Sequence, residues 1–413
     1  MSIYDSEKGL EYKGKVKTFM DTYIYPIEHE VEKYSHSNPS EVYPQFEELK
    51  SKAKAEGLWN LFMPINYGDY SGGLTNVEYA GLAEEMGKVL WSSEIFNCNA
   101  PDTGNMEVFA KYGSEGQKEK FLNPLLSGEI RSAFLMTEPE VASSDARNIQ
   151  TSIVRDGNDY VINGRKWWST NVLHPNCKVY IVMGKTDPNA STFHQQSMIV
   201  IPASTEGVRI VRKLPALHTY DHPGCHCEVL LENVRVPIEN LILGEGRGFE
   251  IAQGRLGPGR IHHAMRLIGM SQRSLDYMCK RANERFAFGK KFSEMGAIRQ
   301  TIAKAYCEIQ KARHLTLATA YAIDNEGAKS AKDLIATLKI SVIPLATKII
   351  DDAMQVFGGM GVSNDIPLAM MYAHARAMRL ADGPEEVHAN QLGRNLLKNS
   401  LDRPDIDTQY FYT

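Results

Sequence analysis

The chain has 413 residues, 43% of them hydrophobic and 23% charged, which is typical of a globular protein with two or three subdomains. Its 46 basic and 50 acidic residues give a net charge of −4, which argues against a dedicated nucleic-acid surface. No apolar run reaches the roughly 18 residues of a membrane helix, and six cysteines in a chain this long do not make a disulfide framework.

The ends of the chain show no targeting sequence. Residues 1–7 lack both the apolar core of a signal peptide and the arginines of an organellar presequence. The last three residues differ from the Ser-Lys-Leu peroxisomal address. We therefore expect a cytoplasmic location.

Helical periodicity dominates the first part of the chain, up to about Arg131. Thr75 and Glu78 have the spacing of a capping box, which predicts the start of a helix. One apolar stripe at spacings close to three and four is formed by Phe46, Leu49, Ala53 and Leu58.

Short strand patterns separated by turn residues follow. Tyr160 begins a run that reaches Asn163-Gly164, and this dipeptide predicts a hairpin turn. Further strands are expected at residues 179–183, 198–201 and 228–236. Strands of this length with frequent turns are typical of an antiparallel sandwich or barrel.

Long helical patterns return after Gly248, at residues 261–285, 297–325 and 328–357, and helices of that length favour a four-helix bundle. The predicted fold class is therefore α+β. Its three domains are an N-terminal helical domain (1–131), a middle antiparallel β-domain (132–245) and a C-terminal helical bundle (246–413).

Several common kinds of active site are not indicated. The sequence has no G-x-G-x-x-G that follows a strand and opens a helix, no H-E-x-x-H and no G-x-S-x-G. Cys225 and Cys227 would lie on one face of a strand, as small core residues do. A zinc site is the alternative for this region, but the spacing fits no closed tetrahedral pattern, so we predict no metal on His218, His222, Cys225, His226 and Cys227.

The segment from Met136 to Asn171 carries the most distinctive chemistry. Residues 136–139 read Met-Thr-Glu-Pro, and residues 163–171 read Asn-Gly-Arg-Lys-Trp-Trp-Ser-Thr-Asn. This combination of turns, hydroxyl side chains and an aromatic pair suits a flat heteroaromatic cofactor. Hydroxyls and backbone groups would bind its polar edge, and an indole would cover its face.

The same segment resembles the flavin-binding domain of acyl-CoA dehydrogenases, and the resemblance extends over residues 48–394. Two segments, 97–107 and 254–263, are similar to the subgroup in which some animal members carry an appended kinase-like domain. A chain of 413 residues leaves no room for that domain, so only the dehydrogenase portion is carried over. The other matching segments are residues 64–68, 84–87, 233–237, 285–289 and 355–361.

The resemblance implies FAD as the cofactor. Met136 and Thr137 would meet the pyrimidine edge of the flavin, and Ser144 would lie near the CoA entrance and the FAD phosphates. Trp168 and Thr170 would pack beside the ring, near N5. Across a subunit interface, the adenine and pyrophosphate half would be bound by Arg285, Phe288, Gln355, Gly358 and Gly359, with Glu386 also in reach of the cofactor. Departures from the family pattern are Gly296, where glutamine is common, and Pro384, where threonine is usual.

Dehydrogenation of a saturated thioester needs an oriented, partly desolvated base for the α-proton. Asp382 aligns with the family's catalytic glutamate, so it is the predicted base. Its own N–H is a candidate thioester donor, and Gly383 lets the backbone approach the substrate. Arg260 is expected to form a salt bridge near this substrate-binding loop. The family's other base position is Gly259 here, which cannot serve. As an alternative, Asp382 would cap a helix that begins at Pro384.

The predicted activity is therefore that of an FAD-dependent acyl-CoA dehydrogenase of fatty-acid β-oxidation. Asp382 would take the α-proton and flavin N5 the β-hydride, and the product would be a trans-2-enoyl-CoA. The resemblance implies a homodimer or homotetramer that passes electrons to an electron-transferring flavoprotein. Two alternatives stay open: a nitroalkane-oxidase-like flavin oxidase, which also uses an aspartate base, and a flavin-free binding or scaffold protein with the same fold.

Overall fold

The computed structural model describes residues 4–401, apart from the side chains of residues 256–258 and 401. The first part of the chain is helical, because its apolar residues repeat at helical spacing and the resulting stripes are buried together. Phe46, Leu49, Ala53 and Leu58 are all buried, as predicted. The helices are α1 (Glu7–Phe19), α2 (Glu28–Ser37), α3 (Phe46–Ala55), α4 (Asn76–Met86), α5 (Ser92–Ile95), α6 (Asp102–Tyr112), α7 (Glu115–Gln117) and α8 (Asn123–Ser127).

The predicted capping box is confirmed at the start of α4. The Thr75 hydroxyl accepts a hydrogen bond from the Glu78 N–H at 3.2 Å, and the Glu78 carboxylate accepts one from the Thr75 N–H at 2.9 Å. The next two N–H groups, those of Asn76 and Val77, donate to the carboxylate of Asp324 at 3.0 Å each. A residue far away in sequence therefore completes the cap and ties the first helices to the last ones.

A seven-stranded sheet follows, in the order β1-β4-β2-β3-β7-β6 with β5 paired to β4. It is mainly antiparallel, as predicted, but β1 pairs with β4 in parallel. The predicted core role of Cys225 and Cys227 is confirmed, since both are fully buried among the apolar side chains of this sheet. The strands are β1 (Arg131–Leu135), β2 (Ser152–Asp156), β3 (Asp159–Thr170), β4 (Cys177–Lys185), β5 (Gln196–Pro202), β6 (Val208–Lys213) and β7 (His226–Pro237).

The predicted hairpin turn at Asn163-Gly164 is wrong. Strand β3 continues through this dipeptide, and the turn between β2 and β3 lies at residues 157–158. Asn163 instead forms a side-chain bridge to Asn233 of β7, whose N–H donates to Asn163 Oδ1 at 2.7 Å. A Cβ on Gly164 would lie 2.2 Å from the Thr151 hydroxyl. Glycine is therefore required here because residues 151 and 164 pack closely together. From the sequence alone, a glycine required for close packing cannot be distinguished from a glycine in a turn.

The last part of the chain is a helical bundle. Helix α9 begins 13 residues earlier than the predicted 261, at Gly248, and continues through Gly254 and Gly259. Helices α9, α10 and α11 pack against one another, and α11 also contacts the two helices that follow it. The elements are α9 (Gly248–Glu284), β8 (Phe286–Ala287), β9 (Lys290–Lys291), α10 (Gly296–Glu326), α11 (Lys332–Phe357), α12 (Leu368–Met378) and α13 (Glu385–Leu401). None of the helices within residues 4–401 combines the length and hydropathy needed to cross a bilayer.

Candidate active site

Asp382 lies on the short loop between α12 and α13, with a left-handed backbone conformation (φ 55°). Two positively charged side chains, one of them buried, hold the backbone of this loop. Lys339 of α11 donates to the carbonyl oxygens of Met378 and Ala381, at 3.0 and 2.6 Å. Arg260 of α9 donates from Nε to the carbonyl oxygen of Asp382 at 3.1 Å. These contacts all involve backbone oxygens of the loop and do not involve the Asp382 carboxylate.

The carboxylate of Asp382 does not cap the helix that follows it, α13. This helix begins at Glu385, and no backbone N–H in the described part of the chain donates to the Asp382 side chain. The helix-capping alternative is therefore not realised. Nε2 of His263 lies 3.4 Å from Asp382 Oδ2, and a Cβ on Gly259 would lie 3.3 Å from the same oxygen. The Asp382 side chain is 18% exposed, so one edge of it stays open.

Electrostatics keep this carboxylate ionised. Burial alone would raise the pKa of Asp382, but the nearby groups His263, Arg255, Arg260 and Lys339 outweigh burial, so the pKa lies below its usual value. Burial also lowers the pKa of Lys339, to about 8. The result is a partly buried carboxylate in its basic form at neutral pH.

The two segments that resemble the kinase-linked subgroup meet beside this carboxylate. Arg255 of α9 lies over the Phe134 ring, 3.9 Å from its centroid, and donates from Nε to Asn105 Oδ1 at 3.2 Å. Glu107, two residues after Asn105 on α6, accepts a hydrogen bond from the Tyr67 hydroxyl at 3.3 Å. Burial raises the pKa of Glu107 to about 8. None of these polar residues matches a catalytic motif, so their position in the two segments is the only sequence signal that could have indicated a role.

A second group of predicted residues meets on the β-domain. Strand β3 has a bulge between Lys166 and Ser169. Within this bulge, Trp168 has φ 51°, and its side chain is 41% exposed to solvent. Thr170 pairs with His226 of β7 across the sheet, with 2.9 Å between the Thr170 hydroxyl and His226 Nδ1. The rings of Trp168 and His226 also meet edge to face, with centroids 5.6 Å apart. The strand therefore presents an indole and a hydroxyl on one surface.

The loop after β1 is held against this surface by a buried ion pair. The Lys166 ammonium group donates to the Met136 carbonyl at 2.9 Å and to Glu138 Oε1 at 2.8 Å. Burial lowers the pKa of Lys166 to about 8. The Trp167 N–H donates to the Thr137 carbonyl at 3.0 Å. This support brings residues 136–137 next to the Trp168 segment, and the sequence analysis did not identify Lys166 as its source.

A buried network joins this surface to the first helices. The Arg131 guanidinium binds Glu94 at 2.6 Å, and the Asp102 carboxylate accepts hydrogen bonds at 2.6 Å from the N–H and hydroxyl of Ser132. Asn171 donates to Asp102 at 3.3 Å. Burial raises the pKa of Asp102 to about 6. The residue after Thr170 is therefore fixed to helix α6.

The residues expected at the adenine half of FAD lie at one end of the bundle, where the guanidinium of Arg281 is 5.1 Å from the ring centroid of Phe357. Phe288 is 98% exposed at the tip of the β8–β9 hairpin. No hydrogen bond, ion pair or ring contact in the described part of the chain joins this group to the Trp168 surface. Its exposed members are Arg285, Phe288, Gln355, Gly358 and Gly359.

The remaining predicted positions are on the surface or near Asp382. Ser144 is exposed in the loop after β1, and Glu386 is exposed in the first turn of α13. Gly383 follows Asp382 with φ 95°. Within residues 4–401, no group of three or more His, Cys, Asp or Glu side chains is arranged around a common metal position. Two of the histidines considered for zinc have other partners: His222 binds the Glu41 carbonyl at 2.7 Å, and His226 binds Thr170.

The Trp168 surface fits a flat aromatic cofactor. Nε1 of Trp167 and Oγ of Ser169 are buried without a hydrogen-bond partner in the described part of the chain, and such orphaned groups are typical of a site that a bound molecule completes. The hydroxyl of Thr137 also has no partner among the described residues. An open indole face beside free polar groups is what a flavin ring requires.

Comparison with known proteins supports these observations. Three family models match the chain. The model described as "Acyl-CoA dehydrogenase, N-terminal domain" matches residues 6–129, the model of the middle domain matches residues 133–234, and the model of the C-terminal domain matches residues 246–397. Acyl-CoA dehydrogenase family member 11 of Gallus gallus is 52% identical over 399 residues, which cover 95% of this chain and 51% of that protein. The chain thus spans about half the length of this relative.

Other relatives are matched along their whole length. The FadE2 acyl-CoA dehydrogenase homologue of Mycobacterium tuberculosis is 49% identical over 405 residues, covering 95% of this chain and 96% of that protein. A solved acyl-CoA dehydrogenase homologue from Mycobacterium abscessus superposes with a TM-score of 0.93 at 48% identity, over 96% and 99% of the two chains. Butyryl-CoA dehydrogenase from Megasphaera elsdenii superposes with a TM-score of 0.82 at 26% identity, over 96% and 100%.

Proposed function

Because the chain belongs to the acyl-CoA dehydrogenase family, we propose that it oxidises the Cα–Cβ bond of a saturated acyl-CoA to a trans-2-enoyl-CoA. The predicted family, three-domain fold and FAD cofactor are confirmed by the three matched domain models and by the close structural relative. The substrate, the reaction and the roles of individual residues are our proposal. The observation that carries it is the setting of Asp382: backbone contacts hold its loop, and its carboxylate is 18% exposed beside several positive groups.

Asp382 is the proposed base. An α-proton of a thioester is weakly acidic, so its removal needs a carboxylate that is ionised, oriented and poorly hydrated. The positive groups around Asp382 keep its pKa low, and the contacts from Arg260 and Lys339 fix its backbone. In the reaction the carboxylate takes the α-proton, and the electron pair of that C–H bond becomes part of the new double bond.

The thioester oxygen gains negative charge during this step and needs a hydrogen-bond donor. The N–H of Asp382 has no acceptor in the described part of the chain, and the next residue, Gly383, has no side chain to block the approach. We assign this N–H to the thioester oxygen. Donor and base on one residue would orient the α-carbon toward the carboxylate.

When bound, FAD supplies the acceptor for the hydride that leaves the β-carbon. Trp168 and Thr170 would hold the flavin ring, and Met136 and Thr137 would bind its pyrimidine edge. Ser144 is assigned to the region of the CoA entrance and the phosphates. These assignments rest on the open indole, the free hydroxyl of Thr137 and the Lys166 support of the loop.

The proposal includes the assembly and the electron acceptor. Phe288 at the tip of its hairpin is 98% exposed, which is unfavourable for an aromatic side chain in water. We propose that this end of the bundle, with Arg285, Gln355, Gly358 and Gly359, meets the FAD of a second copy in a homodimer or homotetramer. Glu386 on α13 is assigned to the same cofactor. An electron-transferring flavoprotein is the proposed acceptor.

The test is an anaerobic titration of the purified FAD-loaded protein with acyl-CoAs of increasing chain length, while the visible flavin band is followed. We expect one length class to bleach the band and to yield an enoyl-CoA, detected by mass spectrometry. A flavin band that no acyl-CoA bleaches would contradict the proposal. Rapid reoxidation by air with release of peroxide would favour an oxidase on this fold.

A further inference from the structure

His263 has no part in the function proposed above, although it lies beside the catalytic carboxylate. Its Nε2 is 3.4 Å from Oδ2 of Asp382. On the other side of the ring, Nδ1 is 3.2 Å from Nη2 of Arg266, one turn further along α9. Arg266 also donates from Nη1 to the carbonyl oxygen of Cys98 at 3.3 Å. The three side chains therefore form a row that ends at the carboxylate.

The hydrogen-bond partner of one ring nitrogen of His263 determines whether the other ring nitrogen carries the proton. A guanidinium group has only donors, so Nδ1 of His263 must accept a hydrogen bond from Arg266 and cannot carry a proton. A neutral imidazole then has its proton on Nε2, the nitrogen that faces Asp382. Burial, and then the charge of Arg266, lower the pKa of His263 to about 3. The ring is therefore neutral over the physiological range and presents an N–H to the carboxylate.

The other groups around Asp382 act elsewhere. Arg260 of α9 and His388 of α13 donate to its carbonyl oxygen, at 3.1 and 3.3 Å, and Lys339 of α11 binds carbonyl groups of the same loop. Arg255 contributes its charge from α9. Among the described residues, His263 is the one whose side chain lies within ion-pair distance of the Asp382 carboxylate.

We propose that His263 is a positioning residue for Asp382: its Nε2–H, directed by Arg266, orients the carboxylate and favours the ionised form. This inference rests on the proposed function, in which Asp382 is the base. Without the N–H, the carboxylate can rotate about its side-chain bonds, and the polar contact at 3.4 Å that favours its charged form is lost. Both changes slow proton removal and raise the pH below which the enzyme loses activity.

The kinetic test compares three variants under saturating acyl-CoA. His263→Leu removes the N–H, and His263→Gln keeps an amide N–H on a side chain of similar reach. His262→Leu is the matched control: its ring packs 5.1 Å from that of Tyr79, and neither ring nitrogen has a hydrogen-bond partner in the described part of the chain. FAD content and thermal melting are measured for each variant, so that misfolded protein is recognised.

We expect His263→Leu to lower kcat about tenfold with KM within about twofold of the wild-type value. The acid limb of its kcat–pH profile should move upward by about half a pH unit or more. His263→Gln should restore most of kcat, and His262→Leu should stay within about twofold of wild type. Unchanged kcat and an unchanged acid limb in His263→Leu would overturn the proposal. An equal loss of kcat in His263→Leu and His263→Gln would also contradict the proposal, because the effect would then come from the shape of the ring and not from its N–H.

A second measurement does not depend on turnover. In protein labelled with ¹³Cγ-aspartate and ¹⁵N-histidine, the Asp382 signal is assigned with Asp382→Asn and the His263 signals with His263→Gln. We expect His263 in the Nε2–H form at neutral pH, and a higher titration midpoint of Asp382 in His263→Leu. An Nδ1–H form, or an unchanged midpoint, would refute the positioning role. If the wild-type protein oxidises no acyl-CoA, the proposed function fails, while this titration still decides whether His263 controls the carboxylate.

Discussion

Gly259 and Asp382 face each other across the candidate active site. A Cβ atom on residue 259 would lie 3.3 Å from Oδ2 of Asp382, although Gly259 is on helix α9 and Asp382 is on the loop after α12. These are the two positions at which the family resemblance places a catalytic base. Side chains at positions 259 and 382 would share the same space, so this space holds a single carboxylate. Glycine at position 259 leaves that space to the Asp382 side chain.

Replacement of Asp382 by asparagine should abolish turnover without loss of the cofactor. The amide has a similar shape but cannot accept the α-proton, and loss of a general base lowers kcat by about 10²- to 10⁴-fold. Turnover is measured with the acyl-CoA that bleaches the flavin, and FAD content is measured by absorbance. An asparagine variant with wild-type kcat would show that the base is another residue.

The geometry of Gly259 suggests that the base can be moved. In an Asp382→Ala variant, the additional change Gly259→Glu would place a carboxylate in the space that Asp382 leaves. We expect the double variant to exceed Asp382→Ala in kcat by about tenfold, because a base is present but less well oriented. Gly259→Gln in the same background is the control, since it has the same size and no basic group. Equal activity of the two double variants would contradict the prediction.

Glu107 should make the stability of the fold depend on pH. Burial raises its pKa to about 8 in the folded protein, so the folded state binds a proton that the unfolded chain releases above its ordinary value of 4.5. This contribution is fully present below that ordinary value and is lost as the pH rises through about 8.

Glu107→Gln should therefore flatten the pH dependence of the melting temperature. Between about pH 5 and pH 9, the wild-type Tm should fall by at least about 2 °C more than that of the variant. The control Glu206→Gln, at an exposed position, should follow the wild type. The melting temperatures are measured by differential scanning calorimetry. If the plots of Tm against pH were parallel for wild type and Glu107→Gln, Glu107 would not be a carboxyl group with a raised pKa.

Arg131 should be a major source of stability between the first helices and the sheet. Its side chain is 1% exposed and binds the equally buried Glu94 at 2.6 Å. Arg131→Met would leave this carboxylate with fewer positive partners, at a cost of about 3–5 kcal/mol. The melting temperature should fall by about 5 °C or more. The exposed Arg235, which pairs with Asp159 at 3.5 Å, is the control. Arg235→Met should cost about 1 kcal/mol or less, and equal effects would argue against the prediction.

Trp168 should determine the affinity for the flavin. Its ring is 41% exposed, so Trp168→Ala removes an open aromatic face without creating a large cavity in the core. We expect the Kd for FAD to rise about tenfold, since contact with an aromatic ring contributes about 0.5–1.5 kcal/mol beyond the buried area. Trp168→Phe keeps a flat ring and should retain most of the affinity. The Kd of both variants is measured by ultrafiltration with flavin fluorescence. Unchanged affinity in the alanine variant would show that the flavin does not bind at this surface.

Periodicity predicted the elements whose burial is local. The stripe from Phe46 to Leu58 is buried as expected, and Cys225 and Cys227 lie in the sheet core. The turn assigned to Asn163-Gly164 failed because the same dipeptide also suits a close approach between strands, and the neighbour that demands it, Thr151, is not visible in the local pattern.

The early start of α9 has a similar origin. Glycines such as Gly254 and Gly259 have low helix propensity, and the predicted periodic segment begins only at residue 261. In the fold, a Cβ on Gly254 would lie 2.1 Å from the Tyr112 hydroxyl. The helix therefore needs small residues there, and packing against α6 outweighs the propensity.

The family, the order of helices and strands, and the residue types that a flavin and a thioester require can all be recognised in the amino-acid pattern. Which distant groups share a space depends on the assembled fold, which pairs Arg131 with Glu94, Lys166 with Met136, and His263 with Asp382. The physical reason is that periodicity records which face of an element is buried, whereas a buried charge acts on whatever group packing places within a few ångströms. Such partners, and the pKa values they set, follow from the assembled fold.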